Sequence, residues 1–194
     1  MTEDSSLNFR FKGSRGYVQG GDIFDAVEAL VGQQEKHVLE LSFREFSHMH
    51  MKCVFYNPEE KAKAEGVTID KEGRKERFWL IETKDAVTER YAFDEEAIVS
   101  CAHIDGKTLV AKATPGYSVI EQIIAHTKAL NYQITPDIKG KWVFGQLRLS
   151  QPLPVSAEQF CICQKTLLAG RFSVQEITLD DQAVGQIRFI TSES

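Results

Sequence analysis

Apolar residues recur at helical spacing in two stretches of the chain. In the first they form one apolar stripe, which predicts a helix over residues 22–31. Asp22 is placed to cap the first N–H groups of that helix, and Gly32 is placed to end it. A second stripe predicts a helix over residues 117–131, directly after Pro115-Gly116.

Elsewhere apolar and polar residues alternate, which is the period of a β-strand with one buried face. The segments read as strands are 7–11, 39–43, 49–55, 78–83, 91–93, 97–104, 107–111, 142–149, 160–163, 171–179 and 184–190. Asp105-Gly106 predicts a type I′ hairpin turn. Residues 57–77 are mostly charged or small and contain a proline and two glycines, which predicts a solvated loop.

The order strand, glycine-containing turn, helix and several antiparallel strands occurs twice along the chain. One helix and a sheet that covers its apolar face make an α+β unit, and two such units follow one another here. The predicted fold class is therefore α+β with two tandem subdomains, over residues 6–112 and 113–191. The charged loop 57–77 belongs to the first subdomain.

Composition narrows the class of partner. The chain has 194 residues, with 23 Lys and Arg against 28 Asp and Glu, and a net charge of −5. A nucleic-acid binder needs a basic surface, so we expect no nucleic-acid partner. Apolar runs fall short of the roughly 18 to 20 residues that span a bilayer, and the first residues are acidic. We therefore expect no membrane partner and a cytoplasmic location.

Residues that could hold a metal are sparse. The four cysteines contain no CxxC pair and lie in apolar segments, so they are expected to be buried thiols. His48 and His50 share one face of a predicted strand, a spacing that can hold zinc or copper. Alternation places Cys53, the nearest further ligand, on the opposite face. We therefore expect no metal and no cofactor.

Residues 19–29, Gln-Gly-Gly-Asp-Ile-Phe-Asp-Ala-Val-Glu-Ala, resemble the turn and helix start of hotdog-fold acyl-CoA thioesterases of the phenylacetate-pathway type. In that family a polar residue, commonly His, precedes two glycines, and a helical carboxylate follows at this spacing. The resemblance implies a catalytic Glu28 assisted by Gln19, which stands where His is commoner. It also implies a substrate-binding turn made of Gly20, Gly21 and Asp22.

Residues 115–121, Pro-Gly-Tyr-Ser-Val-Ile-Glu, resemble the helix start of hotdog 3-hydroxyacyl-[acyl-carrier-protein] dehydratases. There Pro-Gly is followed by four residues and a catalytic Glu, which implies a catalytic Glu121 and a substrate-binding Gly116. The dehydratase His is replaced here by Lys107, so hydrolysis is favoured over dehydration. Together the two resemblances imply a double hotdog, in which each antiparallel sheet wraps around a central helix.

The chemistry of a thioesterase suits these residue types. Backbone N–H groups at a helix N-terminus can polarise a thioester carbonyl, and Gly20 and Gly21 allow a close approach. Glu28 can act as general base on water or as nucleophile, and Gln19 can orient the water or the carbonyl. Glu121 with Gly116 has the same candidate role in the second helix. Two structural interpretations compete with these catalytic roles. The glycines can simply form a tight turn into the helix, and Glu28 and Glu121 can be carboxylates exposed to solvent.

The sequence therefore predicts hydrolysis of an acyl-CoA or acyl-carrier-protein thioester, within fatty acid metabolism. One alternative is a hotdog protein that binds acyl groups without catalysis. Another is a 3-hydroxyacyl dehydratase or hydratase. The expected partners are acyl-CoA or acyl-carrier protein, and a homodimer is among the expected assemblies.

Overall fold

The computed structural model describes residues 5–168 and 170–192. The chain divides into two compact units, with the boundary between Phe93 and Asp94. Each unit combines one long helix with a mostly antiparallel sheet. Among the described residues, none of the helices has both the length and the apolar character needed to cross a membrane.

The first unit contains one helix and seven strands among its described residues. They are β1 (Ser5–Leu7), β2 (Phe11–Lys12), α1 (Gly20–Gly32), β3 (Lys36–Phe43), β4 (Met49–Val54), β5 (Ala64–Asp70), β6 (Lys75–Ala86) and β7 (Arg90–Tyr91). Five strands form an antiparallel sheet in the order β1-β4-β6-β5-β3. The short strands β2 and β7 pair in parallel. Helix α1 packs against β3 and β1.

The predicted first helix is confirmed, with two more residues at its start and one more at its end. Its apolar stripe is buried, as the spacing indicated. Asp22 does not cap this helix, because the N-cap residue is Gln19. The Asp22 carboxylate instead forms an ion pair with Lys12, which draws it away from the helix amides.

The loop predicted over residues 57–77 is wrong, because β5 and the start of β6 lie within it. The buried positions of β5 are Ala64, Gly66 and Thr68, so the inward face has almost no apolar side chains to reveal its period. Gly66 is required by close packing. A Cβ added there would lie 2.2 Å from the Glu40 carbonyl oxygen and 2.3 Å from Cζ of Phe78.

The second unit contains two helices and six strands among its described residues. They are α2 (Glu95–Val99), β8 (His103–Asp105), β9 (Thr108–Lys112), α3 (Val119–Ile134), β10 (Lys141–Leu149), β11 (Gln159–Leu168), β12 (Phe172–Leu179) and β13 (Gln182–Ser192). The strand order is β10-β13-β12-β11-β9-β8, and the pairings between these strands are antiparallel. Helix α3 packs against β9, β10, β11 and β12, which confirms the second predicted helix.

Two expectations near the start of this unit are corrected. Part of the strand predicted over 97–104 is helix α2, which Asp94 caps by accepting a hydrogen bond from the Ala97 amide. In the β8–β9 hairpin Asp105 pairs with Thr108, so the turn is Gly106-Lys107 rather than Asp105-Gly106. Strand β9 pairs with β11 within this unit.

The two units share the position of the helix but differ in strand order. In the second unit the strand that follows the helix, β10, pairs with the last strand, β13. In the first unit the equivalent strand β3 pairs with β5, and β6, the last strand of the five-stranded sheet, lies between β5 and β4. The two units therefore repeat the order of elements along the chain, but not the order of strands within the sheet.

Candidate functional site

The start of α1 presents backbone N–H groups that its N-cap side chain does not satisfy. Gln19 has extended backbone angles (φ −81°, ψ 143°) and makes no side-chain capping bond. Its Nε2 donates instead to the Tyr17 carbonyl, at 3.3 Å. Because the first amides of a helix have no intrahelical acceptor, the Gly20 and Gly21 amides need acceptors from outside the helix; Gly20 is half-buried and Gly21 is buried.

Asp22 belongs to a polar cluster beside that turn. The Lys12 Nζ lies 2.7 Å from Asp22 Oδ1, and the two side chains are only 5% and 15% exposed. The Tyr91 hydroxyl lies 2.9 and 3.0 Å from the two Asp22 oxygens and donates to the carboxylate. Burial, with the nearby Asp22 charge second, raises the pKa of Tyr91 to about 12. Asp22 therefore holds β2 and β7 to the helix.

Glu28 lies on α1 beside the start of β3 and uses both carboxylate oxygens. The His37 Nδ1 is 2.7 Å from Oε1, and the Val38 amide donates to Oε2 at 2.7 Å. Glu28 is 29% exposed and His37 47% exposed, so solvent reaches both. The sequence reasoning missed His37, although the short turn from Gly32 to Lys36 was a signal that the strand returns past the helix.

The structure does not bring Glu28 together with the glycine turn of the same helix. Glu28 follows Gly20 by eight residues, which at 1.5 Å per residue is about 12 Å along the helix axis. A reacting carbonyl must lie within about 3.5 Å of the attacking atom. One thioester therefore cannot reach Glu28 and the Gly20 and Gly21 amides of one helix.

Glu121, the other candidate carboxylate, forms a capping box at the start of α3. The Ser118 Oγ accepts from the Glu121 amide at 3.3 Å, and Glu121 Oε2 accepts from the Ser118 amide at 2.9 Å. The spacing Ser-x-x-Glu was the sequence signal for this arrangement. Gly116 lies in the preceding loop with φ +88° and is exposed. The N-terminus of α3 is thus satisfied internally where that of α1 is not.

We expect replacement of Glu121 by Ala to lower stability rather than activity. Losing one capping contact costs about 1 kcal/mol, so Ser118→Ala and Glu121→Ala should lower the free energy of unfolding by similar amounts. Denaturant titration measures this, and acyl-CoA hydrolysis by the same samples is the control. A large loss of hydrolysis in Glu121→Ala alone would instead identify this carboxylate as catalytic.

The interior of the second unit holds a buried polar group beside α3. The Gln175 Nε2 donates to Asn131 Oδ1 at 2.6 Å and to Gln164 Oε1 at 3.0 Å. His126 is fully buried against Phe160, with ring centroids 5.5 Å apart. Within the described residues neither of its ring nitrogens has a hydrogen-bond partner. Burial lowers the pKa of His126 to about 4.

This histidine makes stability depend on pH. Its pKa rises from about 4 when folded to the ordinary value of 6.5 when unfolded, so between these pH values only the unfolded chain binds the proton. The free energy of unfolding should fall by about 3 kcal/mol as the pH drops from 6.5 to 4. Denaturant titrations should show a shallower fall for His126→Leu, but not for His103→Gln, which changes an exposed histidine. Equal pH dependence in parent and His126→Leu would contradict this.

The other histidines and the cysteines show no metal site. The His50 Nδ1 accepts from the Phe9 amide at 2.9 Å, and His48 Nδ1 lies 2.5 Å from the Gly16 carbonyl. No group of three or more His, Cys, Asp or Glu side chains suited to a metal occurs in the described part of the chain. Cys53 is buried as expected, and burial raises its pKa to about 12. Cys101 is exposed, contrary to expectation.

Comparison with known structures identifies the fold. The dehydratase domain of PpsC from Mycobacterium tuberculosis matches 100% of this chain and 93% of its own length, with a TM-score of 0.51 and 8% identity. A structure of that domain in complex with C12:1-CoA also gives a TM-score of 0.51, at 10% identity over 98% of this chain and 93% of that one. At these identities the likeness is one of fold alone, and the mostly antiparallel sheet with a central helix agrees with a hotdog fold.

The likeness is one of fold rather than of sequence. A tesB protein of Mycobacterium avium subs paratuberculosis matches 90% of this chain and 86% of its own length, with 9% identity and a TM-score of 0.42. No family model matches the chain, and no curated protein sequence matches it.

Proposed function

We propose that this chain is an acyl-thioester hydrolase with Glu28 as its catalytic carboxylate, and that its two units are tandem hotdog repeats. The observation that carries the proposal is the state of Glu28: a carboxylate on the helix of a hotdog fold, accessible to solvent and oriented by two donors. Glu121 is a weaker candidate because its carboxylate closes the α3 capping box. The substrate class is acyl-CoA or acyl-carrier protein.

Glu28 acts as general base in this proposal. A carboxylate has about four acceptor positions, so bonds to His37 and Val38 leave room for a water molecule. Glu28 takes a proton from that water molecule while the water oxygen attacks the acyl carbon. The C–S bond of the tetrahedral intermediate then breaks, Glu28 returns the proton to the leaving sulfur, and the products are a thiol and a carboxylic acid.

His37 is a positioning residue. In the tautomer that carries its proton on Nδ1, the ring donates to Glu28 Oε1, which together with the Val38 amide fixes the plane of the carboxylate. Replacing His37 by Asn should therefore lower the hydrolysis rate less than replacing Glu28 does. A greater loss in His37→Asn would make His37 the base.

The carbonyl is polarised by the Gly20 and Gly21 amides of a second copy of the chain. The separation of about 12 Å along α1 requires that these amides and Glu28 come from different helices. A symmetric homodimer supplies such a pair twice, because each copy offers both its helix start and its Glu28. Amides aimed at the developing oxyanion are then contributed in trans.

Gly20→Pro removes the amide without breaking the helix. Proline is tolerated at the first helical position, and Gln19 before it already has the extended conformation that proline demands. Losing one oxyanion donor should lower kcat by about 10²- to 10³-fold. Mixing Gly20→Pro with Glu28→Gln chains should restore about a quarter of the parent rate, since half of the dimers then hold one complete site. No recovery on mixing would contradict a site shared between copies.

The proposed activity is tested by incubating the purified chain with acyl-CoA thioesters of increasing chain length. A thiol-reactive chromophore measures release of CoA, and absorbance of the conjugated enoyl thioester follows dehydration of a 3-hydroxyacyl-CoA. We expect thiol release for at least one chain length. Enoyl formation without thiol release would instead favour a dehydratase. If neither product forms while acyl-CoA is retained, the chain is a binding protein.

A further inference from the structure

Two aromatic rings of the first unit lie at the surface beside the turn that starts α1. Tyr17 precedes Gly20 by three residues, and Phe46 lies in the loop between β3 and β4. Their ring centroids are 4.3 Å apart, and the ring planes are tilted by 46°. Phe46 is 43% exposed, and Tyr17 is half-buried. The Tyr17–Phe46 pair is therefore an apolar surface that solvent reaches.

A backbone hydrogen bond places the pair close to the amides of that turn. The Val18 amide donates to the Ser47 carbonyl at 2.9 Å, which joins the residues that follow the two rings. Gly20 comes two residues after Val18, and two residues of chain span at most about 7 Å. An acyl group whose carbonyl accepts from the Gly20 amide therefore has the Tyr17–Phe46 pair within its reach.

The loop that carries Phe46 is anchored on both sides of the ring. The Arg44 amide before it donates to the Lys63 carbonyl at 2.8 Å. Ser47 after it is buried, and its Oγ donates to the Glu82 carboxylate at 2.8 Å. An apolar side chain that is fixed before its ligand arrives loses little conformational freedom on binding. Phe46 therefore presents its ring to solvent from a fixed backbone.

We propose that the Tyr17–Phe46 pair binds the acyl chain of the thioester and sets the preference for chain length. This rests on the proposed function and names the part of the substrate that adjoins the carbonyl. Single exposed apolar residues are common on protein surfaces, but these two rings contact one another beside the amides proposed to polarise the carbonyl. Each methylene that the rings remove from water should strengthen binding about fourfold.

The test uses S-(2-oxoalkyl)-CoA analogues, in which a methylene between the sulfur and the carbonyl prevents hydrolysis. Titration calorimetry compares the Kd of the full chain for the 2-oxopropyl and 2-oxooctyl analogues. In Phe46→Ala, and in Tyr17→Ala, we expect the Kd of the longer analogue to rise about tenfold and that of the shorter one to stay within about twofold. Tyr56→Ala is the matched control, because Tyr56 is another aromatic residue of the first unit and is 48% exposed. Its Kd values should equal those of the parent.

Sedimentation velocity on the same samples separates the acyl chain from a second copy of the protein as the occupant of the two rings. Loss of dimers in Phe46→Ala, but not in Tyr56→Ala, would make the pair a contact between copies and overturn the inference. No binding of either analogue, no preference for the longer one in the parent, or an equal preference in Phe46→Ala would also overturn it. If Phe46→Ala fails to fold, Tyr17→Ala decides between these outcomes. A Phe46-dependent preference without hydrolysis of any acyl-CoA would overturn the proposed function alone.

Discussion

Replacing Glu28 by Gln is expected to lower kcat for acyl-CoA hydrolysis by about 10²- to 10⁴-fold, the usual effect of removing a positioned general base. The amide keeps the size of the side chain, and its carbonyl oxygen can still accept from the Val38 amide. It cannot take a proton from water at neutral pH. Thiol release under saturating substrate measures the loss, and circular dichroism shows whether the variant is folded.

Glu35→Gln is the matched control for that experiment. Glu35 lies just after α1 in the same unit, is exposed and pairs with Lys71 at the surface. Its replacement removes the same charge from the same region of the chain, and the rate should stay close to that of the parent. A folded Glu28→Gln variant with the parent's rate would contradict a catalytic role for Glu28.

Replacing Gly66 by Ala is expected to destabilise the first unit by about 3 kcal/mol or more. The added methyl group would lie 2.2 Å from the Glu40 carbonyl oxygen and 2.3 Å from the Phe78 ring. Phe78 is fully buried, so neither the ring nor the backbone of β3 can move away without opening the core. Because domains are stable by only about 5 to 15 kcal/mol, thermal unfolding should shift downward by many degrees.

Gly32→Ala provides the comparison. Nothing lies within 4 Å of a Cβ at Gly32, and its backbone has no positive φ. As the last residue of α1, it should gain a few tenths of a kcal/mol, up to about 1 kcal/mol, from the better helix former. Equal midpoints for the two variants would mean that β5 does not pack against Phe78 as described.

The two long helices could be predicted because their apolar stripes are unbroken, as in α1, whose buried Ile23, Phe24, Val27 and Val31 follow the helical period. Strand β5 could not, because its buried residues are small or polar, whereas its larger apolar residues, Val67 and Ile69, lie on the less buried face. The strand order of the first unit was also beyond reach. Strand β4 pairs with β6 rather than with β5, the next strand along the chain. This pairing depends on contacts such as that of Met51 with Glu82, which no local pattern encodes.

The candidate site divides in the same way. The glycine turn and Glu28 were found because they lie in one short motif on one helix. The partners that orient these side chains could not be found in the same way, because they lie outside that motif. His37 required knowledge of how β3 returns past α1, and Tyr91 meets Asp22 across 69 positions of sequence. The Pro-Gly motif implies a catalytic role for Glu121, whereas the Ser-x-x-Glu spacing in the same segment predicts the capping box with Ser118 that the structure shows.

The most direct test of a hydrolase centred on Glu28 is a crystal structure of the Glu28→Gln variant with an acyl-CoA bound. We expect the thioester carbonyl carbon beside residue 28, with a water molecule between the two, and the carbonyl oxygen within hydrogen-bonding distance of the Gly20 or Gly21 amide of a second copy. A thioester bound at the N-terminus of α3, or one that leaves Glu28 in contact only with His37 and Val38, would contradict this account.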